Sequence, residues 1–285
     1  MPNNITNVIV FNNMSKQRFD ELQDEIRVDN GFGEELDKSI PSIDFNKLIP
    51  MPEDLNIDSG SIADRAICAF LSVINPDNNT ITNPDYLVLR KMYKCDSCYS
   101  FARLIANIQN TQKIITIFPE SICKSEHELN ASDVALGKRY FDNMSKYGHM
   151  TWYSWCCANW GTKWNSYNYQ YYAENNIKPK FIPEDTNYII FDTAWKSVPF
   201  ILHVLAKMIP DVTLDYWYAD EDTGCNTGHL VFEGDKVTLE DIPENCSKEA
   251  YEMCASIRCF DLQSHGYIFN EKKGTYVFDD SYVEE

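Results

Sequence analysis

The rhythm of apolar and polar positions changes twice along the chain, and the changes divide it. Near the start, "ITNVIVFN" alternates around Val8 and Val10 with the two-residue period of a strand. Ser15 then precedes "KQRFDELQDEIR", where Phe19, Leu22 and Ile26 fall on one face, so the pattern predicts a capped helix. The glycines of "NGFGEE" are placed to end it, and "SIDFNKLIPMPEDL" reads as a short extended piece with a turn at Pro50 and Pro52.

From residue 57 to about 150 the helical period takes over. "IADRAICAFLSVI", "DYLVLRKMY" and "CYSFARLIANIQ" all carry it, and only "KIITIF" is β-like. "ASDVALGKRYFDNMSKYG" predicts a further helix with Ser132 as its cap.

After that the strands return. "TWYSWCCANWG" reads as a helix stopped by Gly161, and "YNYQYY" alternates as a strand. "NYIIFDTAW" is a strand, and "SVPFILHVLAKMIP" is a helix opened by Ser197 with Pro199 in its first turn. "VTLDYWYADE" and "GHLVFEGDKV" are strands joined through "DTG". The tail adds a helix, "SKEAYEMCASIRCF", and a hairpin, "YIFNEKKGTYVFD".

Composition sharpens this outline in three ways. With 44% hydrophobic and 13% aromatic residues in a chain of 285, a sizeable core is within reach. No apolar run reaches membrane length and the amino terminus has no signal-peptide form, so a soluble cytoplasmic protein is expected. Asp and Glu number 43 against 25 Lys and Arg, a net charge of −18, which opposes binding to a phosphate backbone and serves either solubility alone or an acidic face that docks on a basic protein surface.

Candidate chemistry is sparse. Ten cysteines in a chain of this size without an export signal are expected to be free thiols, with no structural disulfide. Cys95 and Cys98 of "KCDSC" could gain thiolate character at a helix start, yet no second pair completes a zinc site, and Cys123 and His127 would join only through the fold. Cys156 and Cys157 read as packing in an aromatic helix. His127, His149, His203, His229 and His265 form no recognised catalytic or metal motif. Asp220, Glu221 and Asp222, with Asp215 nearby, could hold a divalent ion, although a solvated turn uses the same residues. In "NWGTKWN", the aromatics lack the positive groove that base stacking needs, so Trp160, Gly161, Lys163, Trp164 and Asn165 read as an architectural motif.

Five stretches occur in one order: "MPNNITNVIVFN", "IDFNKLIPMPEDL", "NWGTKWN", "FDTAWKSVPFILHVLAKMIPDV" and "YADEDTGCNTGHLVFEGDKV". Together they resemble the YubB-like family of proteins carried by bacteriophages, plasmids and some bacterial genomes. The likeness covers residues 2–55 and 152–237. It implies an α+β fold of ferredoxin-like βαβ–βαβ type and a mobile-element origin, and it supplies no catalytic residues. The expected organisation is a ferredoxin-like core from residues 1–56 and 151–237, a helical insertion over 57–150, and a C-terminal helix and hairpin extension over 238–285. Strands 4–11 and 187–195 should share one sheet, with the helices of the βα units on one face.

The expected function is non-enzymatic: a phage protein, without cofactor or metal, that binds and blocks a host protein with a basic surface, plausibly an antiphage-defence component. Glu34, Glu35, Asp37, Asp220, Glu221 and Asp222 are the acidic contact candidates. The alternatives are a metal-dependent hydrolase or nuclease using the carboxylates at 220–222, or an accessory protein without a tight partner.

Overall fold

The computed structural model describes residues 3–29, 37–60, 62, 63, 66, 70 and 131–279. Cys95, Cys98, Cys123, His127, Glu34, Glu35 and the segments "DYLVLRKMY", "CYSFARLIANIQ" and "KIITIF" lie outside the described residues. The chain divides into two compact units, one of residues 1–50 and 156–285, the other of residues 51–155.

The first unit is built on a five-stranded sheet. Its strands are β1 (Asn4–Asn12), β2 (Asn187–Ala194), β3 (Thr213–Asp220), β4 (Gly228–Glu233) and β5 (Lys236–Asp241). Their order is β2-β1-β3-β4-β5, with each neighbour antiparallel. β1 and β2 therefore share one sheet, as the sequence motifs imply. β2 and β3 run parallel with β1 between them, because both oppose it.

The described α-helices are α1 (Lys16–Ile26), α2 (Phe45–Leu48), α3 (Ala131–Tyr147), α4 (Trp152–Asn159), α5 (Tyr169–Glu174), α6 (Pro199–Met208) and α7 (Lys248–Arg258). Ser15 caps α1 through an Oγ that accepts from the Arg18 N–H. Pro199 occupies the first turn of α6, where its missing N–H costs nothing, and Val198 rather than Ser197 is the N-cap residue. Ser132 lies inside α3 and not ahead of it.

Alternation along β1 sends side chains to two different layers, and both are buried. Phe11 meets Phe19 of α1 edge-on at 5.1 Å. On that same face Tyr216 of β3 accepts from the Val198 N–H at the start of α6, so α1 and α6 cover one side. Val8 and Val10 point the other way, into a cluster with Ile182, Ile190, Ala219, Cys254 and Ile257. The second face is thus covered by α7 and the segment before β2. The C-terminal helix, an extension by sequence, completes the core of the sheet and belongs to its unit.

"YNYQYY" departs from its predicted form. Only Tyr167 bridges to Asp192 of β2, and residues 169–174 coil into α5. Asn168 adopts a left-handed φ of 65°, which breaks the extended run. Tyr169 and Tyr172, three apart, then become the buried pair while Tyr171 faces solvent.

In the second unit, α3 is pinned to the 54–58 segment by side-chain donors. Asn143 Nδ2 donates to the carbonyls of Asp54 (2.8 Å) and Met150 (3.1 Å), and the Tyr140 hydroxyl to that of Asp58 (2.7 Å). Gly137 faces the backbone of Ala66, where a Cβ would stand 1.9 Å from the carbonyl oxygen. The C-terminal hairpin, β6 (Tyr267–Asn270) with β7 (Thr275–Phe278), turns through Gly274 in the first unit.

Candidate functional site

The carboxylates singled out in the sequence occupy very different environments. Asp220, at the end of β3, is buried, and its two carboxylate oxygens accept from Asn3 Nδ2 (3.3 Å), the Asp222 N–H (3.0 Å) and Asn226 Nδ2 (3.0 Å). Its carbonyl accepts from Arg258 Nη1 at 3.1 Å. This is the bonding of a turn brace, in which amide donors take the lone pairs a cation would need. Glu221 and Asp222 are exposed beside it. Among the described residues no group of His, Cys, Asp and Glu is arranged to hold a metal ion. Asp37 is exposed, and the Ser39 N–H donates to it at 2.8 Å, which lowers its pKa.

"NWGTKWN" joins two segments to the edge of the sheet. Trp160 is buried edge-on against Phe45, and its indole N–H donates to the Ile49 carbonyl at 3.0 Å. Gly161 has a φ of 82°, the left-handed turn that ends α4. Thr162 exchanges two hydrogen bonds with the backbone of Ala194 in β2. Lys163 sits over the rings of Trp164 and Trp195, 4.4 and 4.9 Å from their centroids. Asn165 accepts from the Phe45 N–H and donates to Asp44, the residue that caps α2.

Two polar groupings escaped the sequence reading. His229 lies flat on Trp217, rings 3.5 Å apart, and its Nε2 is 2.8 Å from Asp215 Oδ1. Asn12 also donates to Asp215, and the His229 contact chiefly holds that carboxyl below its usual pKa. Asp192 is buried between Tyr172 and Asn168, which donate to it at 2.5 and 2.7 Å, and desolvation raises its pKa. Both groupings join residues from separate strands or helices, so no local spacing announces them.

β5 is exposed along its whole length, at all six residues, and among the described residues its one strand neighbour is β4. Among the described residues no backbone hydrogen bond reaches its outer edge. At the opposite edge Tyr167 and Asp192 exchange backbone bonds beside β2, and Thr162 bonds the backbone of Ala194. Val237, Leu239 and Ile242 are exposed apolar side chains along this edge. In the stretch 233–244 the sequence carries the carboxylates Glu233, Asp235, Glu240, Asp241 and Glu244 and one basic residue, Lys236. A bulge interrupts the β4–β5 register between Val231 and Phe232. "GHLVFEGDKV" is therefore not the single strand its pattern predicts: Gly234–Asp235 turns the chain, and "KVTLED" carries strand-forming residues beyond it.

The arrangement favours one kind of strand over another. Pairing β5 with a second copy of itself would bring two acid-rich edges together. A basic extended segment would instead meet main-chain groups that no backbone bond takes up among the described residues, three apolar side chains and an attractive field.

An antiparallel sheet with α1 and α6 on one face is an α+β sandwich of ferredoxin-like class. Residues 159–279 match the family model described as the ferredoxin-like domain in Api92-like protein. That match starts in "NWGTKWN" and runs through α7 into the terminal hairpin, beyond residue 237, where the sequence motifs stop. The chain is also similar to the crystal structure of a protein api92 from Yersinia pseudotuberculosis, at 10% identity and a TM-score of 0.35, over 86% of this chain and 99% of that one. No curated protein matches the sequence. No helix among the described residues is long and apolar enough to cross a membrane.

Proposed function

We propose that this chain is a non-enzymatic binding protein whose exposed β5 edge accepts a basic, extended segment of another protein. What supports the reading is that edge: six exposed residues whose outer side takes no backbone bond among the described residues, apolar side chains at Val237, Leu239 and Ile242, and an excess of carboxylates in the sequence around them. In the fuller reading the protein comes from a phage or related mobile element, acts in the bacterial cytoplasm, and blocks a host defence component by occupancy. The motif resemblance supports the origin, and the charge of −18 supports a basic target.

The test is capture from a bacterial host lysate on the immobilised full chain, compared with a Glu240→Lys, Asp241→Lys variant. Both substituted residues are exposed, so the variant should keep the wild-type melting temperature. The expected result is a stoichiometric partner retained by the wild type and lost by the variant. A partner held equally by both would remove β5 from the interface. Turnover of nucleic acid or nucleotide that disappears in Asp220→Asn would replace the binding reading with a hydrolytic one.

A further inference from the structure

We propose that Cys225 and Cys246 form a thiol–disulfide exchange site, closing reversibly into an intramolecular disulfide on reaction with a low-molecular-weight disulfide. This rests on geometry separate from the β5 edge. Their sulfur atoms are 3.9 Å apart although the residues lie 21 positions apart in the chain. Cys225 belongs to the turn between β3 and β4, and Cys246 immediately precedes Ser247, the cap of α7.

The two backbones are already stitched together. The Cys246 N–H donates to the Gly224 carbonyl at 2.7 Å, and the Asn226 N–H donates to Asn245 Oδ1 at 3.0 Å. Thr275 of β7 donates to the Cys246 carbonyl at 2.6 Å, which fixes that loop from its other side. Bond formation therefore needs small side-chain movements rather than a loop rearrangement. Access is also in place, since Cys246 is exposed and Cys225 half-buried. By contrast Cys156 and Cys254 are buried, and burial raises both of their pKa values.

The order of events follows from exposure. Cys246, as thiolate, attacks one sulfur of the small disulfide; that S–S bond breaks and one small thiolate leaves, taking a proton from water. Cys246 is then held as a mixed disulfide. Cys225 gives up its proton to solvent and attacks Cys246 Sγ, expelling the second small thiolate, which is protonated in turn. The protein loses two electrons and two protons, and the oxidant becomes two thiols. Burial, with the neighbouring Cys246 next in weight, pushes the Cys225 thiol up to about 11. In the mixed disulfide the Cys246 contribution is gone but burial still opposes the Cys225 thiolate, so ring closure should quicken as pH rises.

The experiment treats the reduced, folded full chain with oxidised glutathione, quenches with acid, and maps cysteine states by mass spectrometry without reduction. One glutathione on Cys246 should appear first and then give way to a peptide pair joined through Cys225 and Cys246. Cys225→Ser should stop at a persistent mixed disulfide on Cys246. Separate adducts on the two cysteines with no joined pair would overturn the proposal. So would a joined pair that forms only after unfolding in urea, or one dominated by other cysteines.

Discussion

Asn7 shows how much of this core is set by single polar atoms. It is fully buried at the centre of the sheet, where its amide donates to the Ile5 carbonyl at 2.7 Å and to Thr193 Oγ1 at 2.9 Å. Its Oδ1 accepts from the Tyr216 hydroxyl at 2.6 Å, which itself accepts from the Val198 N–H. Tyr216→Phe keeps the ring but strands both groups, so a loss of about 2 kcal/mol is expected, read as a lower urea midpoint at an unchanged slope. Asp192 gives a pH signature. Desolvation raises its pKa above the ordinary 3.8, so folding takes up a proton, and stability falls as pH rises from 3.8 through the raised value. Asp192→Asn should flatten that fall in urea titrations run upward from the ordinary carboxylate range. Little of this was legible beforehand, because Asn7 reaches Thr193 and Tyr216, 186 and 209 positions away, and Asn3 reaches Asp220 across 217. Even Asp192 takes its donors from 20 and 24 positions upstream, outside any local spacing. The sequence showed a cluster of acids at 220–222; only the fold separates the buried brace from its exposed neighbours.

Elements were easier to read than their roles. α1, α6, α7, β1, β2 and β3 follow directly from periodicity and caps, because each presents a continuous apolar face. The aromatic run at 167–172 failed because tyrosines at neighbouring positions satisfy both periods, and Asn168 decided between them. Turns carry a separate liability. Gly224 combines a φ of 82° with the Tyr251 ring, whose nearest atom would lie 2.7 Å from an added Cβ. Gly224→Ala should therefore cost roughly 2–4 kcal/mol, from backbone strain plus overpacking, measured by chemical denaturation. Gly274 has a similar φ but open space around it, so Gly274→Ala should cost only about 1 kcal/mol in the same assay. The contrast isolates the contact from the dihedral.

At the scale of the whole molecule, charge and connectivity matter most. A net charge of −18 should steer a basic partner, so the association rate is expected to fall about tenfold between low and physiological salt, with dissociation changing less. Stopped-flow or surface-based kinetics would show it, and a flat on-rate would exclude acidic steering. Connectivity has a consequence in time. β1 is the apolar strand flanked on both sides, yet its neighbours β2 and β3 begin at residues 187 and 213. At synthesis rates of about 5–20 residues per second, β1 leaves the ribosome roughly 10–40 seconds before the strand it pairs with exists. During that interval "NVIVF" is a nascent segment with nowhere to dock, and it offers the cell's holding chaperones an early binding site. The order in which the chain is made thus imposes the longest wait on the strand that joins β2 to β3.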